Sequence, residues 1–172
     1  MLQIGAGDCA MATQGGQANK TGGVLEQLVI GTLTAHGFTP IRFSDYAKTP
    51  EKFGSEVLLR NAPYTTLYSG RGDTEFLLLS QRYNLKTRIE CKWQQKAGSV
   101  DEKLPYLYLS CVHCVPENHI IILIDGKGFR EGAVQWLRSA SRERRYMPER
   151  VVKRIDVMGS TEFLTWCNET FR

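Results

Sequence analysis

The chain has 172 residues, of which 42% are hydrophobic and 23% charged, with a formal net charge of +4. That length suits one domain able to hide about two thirds of its unfolded surface. No apolar run approaches the ~20 residues of a membrane helix, and a start of Met1-Leu2-Gln3-Ile4-Gly5 has neither the basic nor the apolar region of a secretory signal. The mild positive charge permits nucleic-acid binding without arguing for it. Five cysteines, Cys9, Cys91, Cys111, Cys114 and Cys167, are odd in number and irregularly spaced. Cys91 and Cys167 lie in apolar contexts that predict buried free thiols, and a reducing cytoplasm is the expected compartment.

In chain order, residues 1–22 are rich in Gly, Ala, Gln and Thr and are expected to form a flexible arm before a single domain over 23–172. Val24, Leu25, Leu28, Val29 and Leu33 follow helical spacing, which predicts a helix ending near His36-Gly37. Phe38–Phe43 reads as a strand, Ser44–Gly54 as a polar loop, and Glu56–Arg60 as a short helix or strand. A turn at Asn61-Ala62-Pro63, a strand through Thr66-Leu67-Tyr68 and a turn at Gly70-Arg71-Gly72 lead into a strand over Glu75–Leu79. Tyr83-Asn84 turns the chain into a strand over Lys86–Gln94. Val100–Val115 reads as a helix despite Pro105, with Asp101 and Glu102 in a first turn that the helix dipole favours. His119–Ile124 is a continuous apolar run, as in a strand buried on both faces. Arg130–Arg145 forms a basic helix, Val151–Val157 a strand, and Ser160 caps a last helix. This order predicts a mixed β-sheet with helices on both sides.

Glu90, Lys92 and Gln94 alternate, so a strand would put all three on one face about 6.6 Å apart at ~3.3 Å per residue. A carboxylate, an ammonium and an amide cannot line a dry core without large desolvation costs. About fifteen residues upstream, Gly72-Asp73-Thr74-Glu75-Phe76-Leu77-Leu78-Leu79 brings a second acid to the start of an apolar run. Two strands each presenting an acid, with a lysine close by, supply what metal-assisted phosphodiester hydrolysis needs. Carboxylates hold a hard divalent cation and the lysine steadies charge. A solvated strand face or a cross-strand ion pair is the plainer account of Glu90 and Lys92.

Thr74-Glu75-Phe76-Leu77-Leu78 followed by Ile89-Glu90-Cys91-Lys92-Trp93-Gln94 resembles the PD-(D/E)XK nuclease superfamily, and Gly98–Tyr106 is similar to the segment after the lysine strand in small phage and restriction-type members. The resemblance implies an α/β restriction-endonuclease-like fold and an endonuclease hydrolysing DNA with Mg²⁺, or Mn²⁺ as substitute. By resemblance, Glu75 and Glu90 bind the metal, with Asp73 as the alternative upstream ligand. Glu75 is preferred because it adjoins the apolar run, whereas Asp73 sits in a Gly-Arg-Gly-Asp turn. Lys92 polarises water or steadies charge, and Gln94 and Glu26 support the site. A first-turn glutamate favoured by the helix dipole is the other reading of Glu26. A homodimer, and a bacterial or phage-infected host cell, are further implications. A junction-resolvase-like enzyme and a catalytically silent DNA-binding member are the alternatives.

Lys103 and Tyr106 are candidate phosphate contacts. Arg138, Arg142 and Arg145 recur at helical spacing with Arg144, Arg150, Lys153 and Arg154 close by, a candidate DNA-backbone surface or simply a solvated face. Cys111-Val112-His113-Cys114 has no second ligand pair beyond the loose candidates His119 and Cys167, so a four-ligand zinc site is not expected.

Overall fold

The structure is a computed structural model that describes residues 15–172, without the side chains of residues 15–22 and 99–100. The part of the expected arm up to residue 14 lies outside the described residues. Helix α1 spans Gly15–Ala35, starting before the apolar spacing that begins at Val24. Strands β1 (Thr39–Arg42), β2 (Val57–Thr65), β3 (Arg71–Ser80), β4 (Leu85–Trp93), β5 (His119–Asp125) and β6 (Arg154–Met158) form one six-stranded sheet in sequence order. β2–β3 and β3–β4 pair antiparallel, whereas β1–β2, β4–β5 and β5–β6 pair parallel. The parallel β4–β5 step needs a crossover, which α3 (Leu104–His113) supplies; α4 (Glu131–Arg142) does the same between β5 and β6.

Alternation along the central strands divides the core between two layers. Ile89, Cys91, Ile121 and Leu123 pack with Leu25, Val29 and Leu33 of α1 and Phe163 and Cys167 of α5 (Ser160–Thr170). Ile120, Ile122 and Ile124 pack with Leu104, Tyr108 and Val112 of α3 and Leu137 of α4. The isoleucine-rich run of β5 is therefore buried on both faces, each such side chain contributing about 1.5–3 kcal/mol. Helices cover both faces of a mixed sheet, as the order of elements predicts. Cys91 and Cys167 are buried free thiols.

Several local expectations are corrected. Within the expected loop over Ser44–Gly54, α2 (Phe43–Tyr46) is a single helical turn and Pro50–Lys52 a 3₁₀ turn. The expected turn at Asn61-Ala62-Pro63 lies inside β2, and the expected strand at Thr66–Tyr68 is the hairpin turn, closed by the Thr66 N–H donating to the Gly70 carbonyl at 2.8 Å. Pro63 is tolerated because β1 pairs with β2 only as far as Arg60, so β2 is an edge beyond that point. Asn61 takes φ 54°, a left-handed conformation in which asparagine is at home. Leu59 and Ala62, three residues apart, consequently share one cluster, where a regular strand would separate them. Asp73 lies in β3 opposite Pro63 and not in a turn. Pro105 falls in the first turn of α3, where no N–H is required. The cap of α5 is Gly159 instead of Ser160: Glu162 accepts its N–H at 2.6 Å, while the Ser160 hydroxyl donates to Asp125.

Candidate active site

Backbone pairing between β3 and β4 starts at Phe76↔Ile89. Beyond that pair the two strands exchange no ladder bonds, and a side chain fills the gap: Oε2 of Glu75 accepts the Cys91 N–H at 2.9 Å. On β4, Ile89 and Cys91 face the α1 core, so Arg88, Glu90 and Lys92 share the other face. The Lys92 ammonium donates to Glu90 Oε1 at 2.5 Å, to the Cys91 carbonyl at 3.2 Å and to Glu75 Oε1 at 3.5 Å. Two carboxylates and one carbonyl thus converge on a single cationic point.

Burial sets the electrostatics. Glu90 is only 7% exposed, and its Oε2 is buried without a hydrogen-bond partner. Its carboxyl is pushed up by burial; the nearby ammonium of Lys92 opposes the shift and the Glu75 charge reinforces it. Burial works against the Lys92 charge, yet the Glu90 and Glu75 carboxylates outweigh it and raise the ammonium above its ordinary range. Glu26, half-buried on α1, is raised by burial and then by the charge of Glu75, with Arg60 and Lys92 opposing, which places its carboxylate within the field of the site. An ammonium held by oxygens alone and a buried carboxylate oxygen with no donor are features that fit a hard divalent cation. Among the described residues no group of three or more His, Cys, Asp or Glu is placed to hold a metal ion, so the protein donors here are two carboxylates and a carbonyl.

The other candidates fall elsewhere. Gln94 lies just past the end of β4; its amide donates to the Lys96 carbonyl at 2.5 Å and makes no hydrogen bond to Glu75, Glu90 or Lys92. Its backbone is clasped by the turn after β5, where Gly128 donates to its carbonyl at 2.8 Å. Gly126, at φ 109°, lies so close to that carbonyl that a Cβ would collide with it. Asp73 is exposed and pairs with Arg71 at 3.2 Å instead of joining Lys92. Lys103 is exposed in the 3₁₀ turn before α3, and Tyr106 stacks on Tyr68 of the hairpin turn with ring centroids 5.6 Å apart. Arg138 forms a two-pronged pair with Glu162 at 2.9 and 2.6 Å, and Arg145 pairs with Glu143 at 2.8 Å. Arg142 lines a cleft of about 410 Å³ with Arg144, Lys153 and Arg154. The β6 wall of that cleft runs from Arg154, level with His119 and Thr87, to Val157, level with Ile122 and Glu90.

Sequence reasoning missed Arg88, which anchors the bend from behind. Its guanidinium is buried, paired with the buried Glu117, and donates to the Ala62 carbonyl at 2.7 Å, the Thr74 hydroxyl at 3.0 Å and the Pro63 carbonyl at 3.1 Å. These groups flank Asn61 and Glu75 where β2 and β3 lose their regularity. The available signal was its parity, since the alternation of Glu90 and Lys92 extends back to Arg88.

A mixed sheet sandwiched between helices, with acids on two adjacent strands meeting at a lysine, defines a nuclease-type α/β domain of the restriction-endonuclease-like class. A model of the PD-(D/E)XK nuclease superfamily domain matches residues 17–171, nearly the whole chain, and the protein belongs to that superfamily. No curated protein and no solved structure matches it.

Proposed function

We propose that this nuclease is a divalent-metal-dependent endonuclease that hydrolyses phosphodiester bonds of DNA. The observation that carries the reading is the convergence of Glu75, Glu90 and the Cys91 carbonyl on the Lys92 ammonium at 2.5–3.5 Å. Glu75 and Glu90 would hold Mg²⁺, with Mn²⁺ able to substitute. When bound, the ion supplies Lewis-acid polarisation of the phosphate and of a water. Lys92, gripped between two carboxylates, is positioned to steady negative charge that develops on phosphate oxygens. Glu75 is assigned the ligand role in preference to Asp73, whose carboxylate is exposed and engaged with Arg71. Glu26, sensing the charge of Glu75, supports the site from α1 through water. Gln94 acts as a support for the turn that follows β4.

The test is cleavage of linear and four-way DNA with Mg²⁺, Mn²⁺, Ca²⁺ or excess chelator. Turnover is expected with Mg²⁺ and Mn²⁺ and binding without turnover with Ca²⁺. Full activity in chelator overturns the two-carboxylate mechanism; absence of cleavage with every metal identifies a catalytically silent member.

A further inference from the structure

A cleft of about 630 Å³ is lined by Arg42, Arg60, Asn61, Pro63, Arg71 and Asp73 together with α2. Its position follows from the sheet. Arg42 and Arg60 are partners in the parallel β1–β2 register, which sets their backbones one strand spacing apart, ~4.8 Å. The β2–β3 register pairs Arg60 with Phe76 and Ala62 with Thr74, so Asn61, on the wall of the cleft, lies across from Glu75. The inner wall of the cleft is therefore the strand next to the acid.

Its charge is only partly compensated, by Asp73 on Arg71 and by the field of Glu26 at Arg60. Among the described residues Arg42 and Arg60 have no ion-pair partner, and Asp73 neutralises only Arg71. Most other arginines of the sheet and helices are occupied: Arg88 by Glu117, Arg138 by Glu162, Arg145 by Glu143 and Arg154 by Asp156. In the cleft behind β6, Arg144 is spent on the Lys153 and Val151 carbonyls and Lys153 on the Cys111 and Val115 carbonyls. Two guanidiniums on adjacent strands, neither held in an ion pair, on the rim of a cavity of nucleotide size, match the anionic oxygens of successive phosphates.

We propose that this cleft seats the phosphodiester backbone of the DNA strand, with Arg42 and Arg60 as its phosphate contacts; the proposal rests on the nuclease reading above. A strand held there would run past Asn61 to the gap between β3 and β4 where Glu75 and Lys92 meet. The α4 arginines are then secondary to binding.

The experiment measures the affinity of the full chain for a fluorescent 20-base-pair duplex in Ca²⁺ across a salt series, with inorganic phosphate as a competitor. The proteins compared are wild type, Arg42→Gln/Arg60→Gln, Arg42→Lys/Arg60→Lys and Arg142→Gln, all at matched melting temperature. Loss of two phosphate contacts is expected to weaken binding about ten- to hundredfold and to flatten the log–log salt slope by about two. The lysine pair should recover most of the slope, which a merely structural defect would not. Competition by millimolar phosphate alone would show a free-anion site and overturn the strand assignment. Unchanged affinity and slope in the glutamine pair, or a loss confined to Arg142→Gln, overturns the proposal while a wild type that cuts DNA leaves the nuclease reading intact. A wild type that neither binds nor cuts removes that reading and this proposal with it.

Discussion

At the scale of single residues, the four acids and the lysine separate into those that touch and those that do not. Lys92 bonds both Glu75 and Glu90, whereas Asp73 bonds Arg71 on the outer part of the hairpin. Lys92→Ala, Glu90→Ala and Glu75→Ala are each expected to lower cleavage by about a hundredfold or more, ~3 kcal/mol in the barrier. Glu90→Ala and Glu75→Ala should also weaken Mn²⁺ binding measured by calorimetry, while Asp73→Ala keeps most activity. A dead Asp73 variant beside an active Glu75 variant would reverse the ligand assignment, and an active Lys92 variant would overturn the mechanism itself. Glu90 and Lys92 were legible from sequence because a period of two is a local property of one strand. Arg42 and Arg60 were not, since eighteen residues separate them and only the parallel β1–β2 register sets them side by side. Gln94 satisfied the same alternation, but the strand ends at Trp93 and the turn after β5 claims its backbone.

At the scale of elements, the β2–β3 hairpin is what aims Glu75, and its own sequence disguises it. Asn61, Ala62 and Pro63 carry strong turn chemistry, yet the strand continues through them, with Arg88 reaching across from β4, two strands away, to take up the carbonyls of Ala62 and Pro63. The long apolar runs at Leu77–Leu79 and Ile120–Ile124 were readable because burial on two faces leaves little else for them to be. Arg88 and Glu117 have side chains each 3% exposed, with Lys86 as a further, exposed partner of Glu117 at 3.5 Å. Removing one member of such a pair leaves a buried charge uncompensated. Arg88→Met is therefore expected to cost about 3–5 kcal/mol in urea unfolding, with Arg88→Met/Glu117→Leu recovering a large part of it. A loss under about 1 kcal/mol would show that the hairpin holds its bend without this anchor. Short of unfolding, the single variant should also lose Mn²⁺ affinity through displacement of Glu75.

At the scale of the whole molecule, ionised carboxylates tie elements together that the core alone does not lock. Asp125 takes the Ser160 hydroxyl and N–H, joining β5 to α5. Asp156 joins β6 to β5 by accepting from His119 at 2.9 Å and pairing with Arg154 at 2.7 Å. Glu56 accepts the N–H groups of Gln81 and Arg82 at 3.1 and 3.0 Å, and Glu162 links α5 to α4 through Arg138. Burial works against ionisation of Asp125, Asp156 and Glu56, but the hydrogen bonds made to each prevail and hold it below its ordinary range. Glu162 is lowered chiefly by the hydrogen bond from Arg138. A carboxyl with a lower pKa in the folded state binds fewer protons there than in the unfolded chain, so it stabilises the fold above the unfolded value, about 4. That contribution is lost as pH falls through the folded values. The metal-free protein should therefore hold the contribution of these four groups steady above about pH 5 and lose it progressively below about pH 4. Denaturant unfolding of wild type and Asp156→Asn at pH 6 and pH 3 checks this. The variant should be the less stable at pH 6, with the gap narrowing at pH 3, because the wild-type carboxylate is by then losing the charge that sets the two proteins apart. An unchanged gap at the two pH values would mean that Asp156 acts through its shape and not through its charge.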